Sequence, residues 1–145
     1  MAPKKPTPPL SAASKSALIE AVYLTVCGLA VFFAPHATFA FFESISFSAP
    51  LTPIGSETLY FRLFGFFGMF YTGFWYAVAG INNFTAFFKC SVYTRCLFLP
   101  MVHCALVASG ATSTAWLEVA IPGDFLLGLH MMYCLRQDAA PRKTK

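Results

Sequence analysis

Residues Tyr60–Ile81 read YFRLFGFFGMFYTGFWYAVAGI, an almost unbroken apolar run whose only charge is Arg62. At ~1.5 Å of rise per residue, a helix of this length crosses a hydrocarbon core of ~30 Å. Plotted at ~100° per residue, Gly65, Gly68, Thr72 and Ala79 fall on one stripe, and the rest is mostly Phe, Tyr, Trp, Leu and Met. Small residues on one face let a neighbouring backbone come close, which is how helices associate in lipid. The stripe therefore predicts a helix-packing face. The alternative is that the glycines line a pore or a ligand cleft.

Three further apolar stretches flank this run. Ser16–Ala34 ends at Pro35 and carries Glu20 about one turn inside. Arg95–Ala111 contains Pro100 and His103, with a kink or local break expected at the proline. Ala115–Leu135 is interrupted by Pro122-Gly123-Asp124 and reads best as one kinked helix. The expected fold is thus an all-α membrane protein of four transmembrane helices. Hydrophobic residues make up 57% of the chain and charged residues 11%. A typical soluble domain carries ~25% charge, so a soluble fold is a poor fit.

The connections are read from composition. Met1–Lys15 is a proline- and lysine-rich tail without the apolar region of a cleavable signal peptide. It is expected to be extended and mobile, with residues 16–135 as the membrane domain and 136–145 as a basic tail. Within Pro35–Gly55, residues Thr38–Phe47 suggest an interfacial amphipathic helix, with Phe39, Phe42 and Ile45 sharing a face. An extended segment is the alternative, since Ile45, Phe47, Ala49 and Leu51 alternate. Turns are expected at Pro50–Gly55 and Thr112–Thr114. Asn82–Thr94 reads as a short connection, and its Asn83-Phe84-Thr85 sequon is expected to be unused.

The net charge of +4 matters less than its arrangement. Four spans put both termini on one side, together with Lys4, Lys5, Lys15, Lys89, Arg95, Arg136, Arg142, Lys143 and Lys145. The other side receives Glu43, Glu57 and Glu118, with Arg62 as its only base. Basic residues collect on the cytoplasmic or matrix face, so both tails are expected there. The same clustering argues against a nucleic-acid footprint.

Charges at membrane depth usually face the bundle and find a partner. The depths this topology assigns predict two pairs, Glu20–Arg95 on the inner side and Arg62 with Glu118 or Asp124 on the outer side. Asp124 also stands out because Pro122 and Gly123 loosen the helix beside it, as in carriers with broken helices. His103 and His130 raise the question of a haem between the last two spans, but their expected depths differ by ~6 Å. Neither a haem nor any other cofactor is assigned. Glu118 and Asp124 are ~240° apart around the helix and form no acid/base pair. Ser109-Gly110 is not a nucleophile elbow, and no phosphate-binding fingerprint exists. The five cysteines lack zinc spacing and read as small apolar residues.

These features favour a non-catalytic accessory subunit of a larger membrane complex, with other subunits and lipids as partners. A mitochondrial respiratory-chain or ATP synthase assembly of the inner membrane is preferred, with the endoplasmic reticulum as the alternative location. A small proton, ion or solute carrier using Asp124 and Arg62 is the competing class. A haem or quinone anchor using His103 or His130 is a third.

Overall fold

The computed structural model describes residues 9–45, 59, 62–109 and 115–140, and these are all-helical, with no strand among them. Four long rods pack side by side. The first, α1 (Ala12–Phe33), is joined through Ala34 to the shorter α2 (Pro35–Ile45). The second rod is α3 (Phe64–Ile81), followed after a three-residue turn by α4 (Thr85–Ala108). The last is α5 (Ala115–Ala139). Helices α1, α3 and α4 are long and apolar enough to cross a membrane. Helix α5 has 25 residues, ample in length, but Glu118, Asp124 and Arg136 dilute its apolar character.

Several boundaries differ from those read off the sequence. Helix α1 begins at Ala12 rather than Ser16, because Ser11 caps it. The Ser11 hydroxyl accepts from the Ser14 amide at 3.1 Å, and Asp138 at the far end of α5 accepts from the amides of Ala12 and Ala13 at 2.8 and 2.9 Å. A carboxylate there satisfies amides that a helix start leaves unpaired. Helix α5 accordingly runs on to Ala139, beyond Leu135. Ser11 and Ser14 also donate to the Asn83 side chain at 2.7 and 2.8 Å. The start of α1, the α3–α4 turn and the end of α5 therefore meet at one end of the bundle. Asn83 makes that turn with φ of 52°, a left-handed geometry that asparagine tolerates well.

The largest correction concerns Asn82–Thr94. Only Asn82–Phe84 forms the connection, and Thr85 already starts α4. Arg95 thus lies ten residues inside the helix, about 15 Å from its start at 1.5 Å per residue. Helix α4 changes winding over Thr94–Phe98, which is π-helical, before Pro100. Proline lacks an N–H and crowds the preceding turn, so a local change of winding ahead of it is the expected accommodation. Pro122, by contrast, sits within an otherwise continuous α5. Helix Pro35–Ile45 overlaps the segment read as interfacial. Residues 46–58, with the turn at 50–55 and the extended alternative, lie outside the described residues, as do the turn at 112–114 and tail residues 1–8 and 141–145.

Close packing of α1 on α3 depends on glycine. A Cβ on Gly28 would come within 2.5 Å of the Phe70 amide nitrogen and 2.6 Å of the Gly65 carbonyl oxygen. Gly73 likewise meets Thr25 and the Ala21 carbonyl, and Gly80 meets Leu18 and the Ser14 carbonyl. The contact stripe of α3 is therefore Gly65, Gly73, Ala79 and Gly80. Gly68 and Thr72, assigned to that stripe from the sequence, turn toward an interior cavity instead. The reason is local winding: Phe64–Tyr71 is π-helical, which takes more residues per turn and shifts the register assumed at 100° per residue.

Candidate functional site: a buried ion cluster beside an intramembrane cavity

Every rod contributes a polar side chain to the interior. Arg95 of α4 is the hub, and its side chain is 5% exposed. Its Nη1 donates to Asp124 Oδ1 of α5 at 2.8 Å, and its Nε donates to Tyr76 Oη of α3 at 3.0 Å. Its Nη2 lies 3.3 Å from Glu20 Oε2 of α1. That approach is an ion-pair contact whose angle is too poor for a hydrogen bond, and Glu20 Oε2 accepts no hydrogen bond from any described residue. Tyr76 also bonds Ser91, one turn before Arg95 on the same face of α4. Glu20 is completed by Ser16, whose hydroxyl donates to Oε1 at 3.4 Å.

Burying three ionisable groups is costly, and mutual contact is what makes it tolerable. One guanidinium serves two carboxylates from different helices, which its forked donor geometry permits. His103 Nε2 stands 3.6 Å from Asp124 Oδ2, too long for a hydrogen bond.

The cluster forms one wall of a cavity of about 360 Å³, within the range of small-molecule sites. Leu24, Val31, Met69 and Leu127 give it an apolar body, and Phe42 of α2 also lines it. Arg95, His103 and Asp124 line it, while Glu20 stays behind the wall at 1% exposure. Gly123 lines it too, and a Cβ there would meet nothing within 4 Å.

The expected residues are thus distributed as follows. Glu20 and Arg95 are brought together. Asp124 binds Arg95, not Arg62, because Arg95 is held in the interior while Arg62 is exposed near the start of the α3 rod. Glu118 lies a turn and a half before Asp124 on α5. His130 Nδ1 bonds Ser16 at 3.0 Å, on a different face of α5 from Asp124. His103 lies eighteen residues past the start of α4, and His130 nine residues before the end of α5. Antiparallel packing then separates their depths by roughly 13 Å at 1.5 Å per residue, too far for one iron. Tyr76 and Ser91 were not anticipated. The sequence signal was present: Ser91 and Arg95 are four apart, hence one helical face, once Thr85 is taken as the helix start. Comparison with protein-family models, curated proteins and solved structures finds no match to this chain.

Proposed function

We propose that this chain is a four-span integral membrane protein, with α5 as the fourth span, that serves as a non-catalytic accessory subunit of a larger membrane assembly. The observation that carries this reading is the division of its surfaces. Glu20, Arg95 and Asp124 engage one another inside, whereas Phe33, Phe67, Phe74, Trp75, Phe98 and Tyr133 face outward. A continuous bulky apolar exterior suits lipid and the flanks of other membrane subunits. A respiratory-chain or ATP synthase assembly of the mitochondrial inner membrane is the preferred host, with both termini on the matrix side and α2 at the interface. The test is native-gel separation of gently solubilised membranes, with mass spectrometry of the band containing the chain. A constant ratio to catalytic subunits supports the reading, and migration alone or as a small homo-oligomer overturns it.

The cavity beside Asp124 favours a second reading, an intramembrane binder or carrier of a small solute. In that role Arg95 takes the place that the sequence suggested for Arg62. Loss of solute uptake by a folded Asp124→Asn protein supports it, and unchanged uptake removes it.

A further inference from the structure

We infer that the cavity binds a small lipophilic amine in its protonated form, with Asp124 as its counter-ion. This rests on the second reading above, that the cavity is a binding site, and adds the class of ligand.

Three observations meet at Asp124. Its side chain is 20% exposed and lines the cavity, while Glu20 is sealed behind the wall at 1%. Its two oxygens differ in occupancy. Oδ1 accepts from Arg95 at 2.8 Å, whereas among the described residues Oδ2 is approached by His103 Nε2 at 3.6 Å. Oδ2 is thus open toward the cavity, and an ammonium donor aimed at it would add a charge-assisted hydrogen bond. Asp124 is also the one carboxylate among the described residues lining the cavity.

The rest of the cavity selects what the ammonium is attached to. Tyr23, Phe42, Phe64 and Phe87 contribute rings, and Leu24, Val31, Met69 and Leu127 aliphatic side chains, to the walls away from the Arg95–Asp124 pair. Aromatic faces attract cations and accept flat apolar bodies equally well. An acid of the same shape would bring a second carboxylate against Asp124. A neutral alcohol would fill the apolar volume but offer Asp124 no counter-charge.

The test uses the full chain in phosphatidylcholine nanodiscs, with empty nanodiscs correcting for partition into lipid. Three probes share one shape: phenylbutylamine, phenylbutanol and phenylbutyrate. Equilibrium dialysis should show saturable binding of the amine, one per chain, at least about tenfold tighter than the alcohol. The acid should bind weakest. Asp124→Asn should bring amine affinity down to that of the alcohol. Leu127→Trp, which fills the cavity and leaves the ion cluster alone, should remove binding of every probe. Should Asp124→Asn fail to fold, the order of the three probes on the unaltered chain decides. Alcohol binding as tight as amine binding overturns the amine assignment and leaves the cavity a site. Absence of saturable binding by any probe overturns the binding reading as well.

Discussion

Arg95 Nη1 lies 2.8 Å from Asp124 Oδ1, and this bond ties α4 to α5 within the bundle. The same guanidinium reaches Glu20 on α1 and the Tyr76 hydroxyl on α3. One side chain thereby couples all four rods, and its removal strands the buried Glu20 carboxylate and the half-buried Asp124 carboxylate at once. Arg95→Met should therefore destabilise the protein by about 3–5 kcal/mol, the usual cost of breaking a buried ion pair from one side. Arg62→Gln, at an exposed position, should stay within about 0.5 kcal/mol of the parent. Thermal unfolding in mild detergent measures both. Equal effects of the two substitutions would remove Arg95 from the centre of the fold.

The coupling with Glu20 can be isolated. If the 3.3 Å contact stabilises the bundle, Glu20→Gln and Arg95→Gln should be non-additive by about 1 kcal/mol or more, as contacting buried charges usually are. Additive effects would mean that Glu20 is tolerated rather than used. The poor angle at Oε2 sets the expectation below that for Arg95 with Asp124.

The α1–α3 interface allows a matched pair of glycine substitutions. Gly28→Leu drives a branched side chain into the Phe70 and Gly65 backbone and should cost about 1–3 kcal/mol through forced separation of the helices. Gly123→Ala adds a methyl group to open cavity space in a helix and should be neutral or stabilising by up to about 1 kcal/mol. The same unfolding assay reads both. Destabilisation by Gly123→Ala would show that the cavity wall must yield there.

What the sequence makes legible here is length and apolarity, and what it hides is winding. The string Tyr60–Ile81 announces its helix, and Ala115 is correctly placed as the start of α5. The Asn82–Thr94 stretch misleads because Lys89, Ser91 and Thr94 look like a loop when no partner for them is known. Ser91 in fact bonds Tyr76 from another rod. Treating Arg95 as an anchor at the headgroups then puts it at the wrong depth, and Arg62 becomes the nearest base for Asp124. The π-helical stretch Phe64–Tyr71 is equally silent, since nothing in FGFFGMFY departs from ordinary membrane-helix composition. It is this stretch that moves Gly68 and Thr72 from packing face to cavity wall.

The contact between Asp138 and the start of α1 predicts a local effect. Asp138→Ala removes the acceptor for the amides of Ala12 and Ala13 and should cost about 0.5–2 kcal/mol, the range for a lost helix cap. Hydrogen exchange resolves it by residue. Protection of those two amides should fall, while amides near Leu24 keep theirs. Uniform loss along α1 would mean that Asp138 supports the whole helix and not its first turn.

The fourth span has its own test. Ser11 at the start of α1 and Ala140 just past α5 lie at the same end of the bundle, since Asp138 bonds the amides that follow Ser11. If α5 crosses the membrane like the other three rods, single cysteines at these two positions must share one face of a sealed vesicle. In a background with the five native cysteines replaced, an impermeant maleimide should label both variants or neither, depending on orientation. Permeabilised vesicles supply the control for reactivity. A cysteine placed at Ser109, just past α4, should show the opposite pattern, because α4 leads away from the Asn83 turn that holds Ser11 and Ser14. Labelling of Ser11 and Ala140 from opposite faces would leave three spans and detach α5 from the membrane bundle, and with it the depth at which Asp124 meets Arg95.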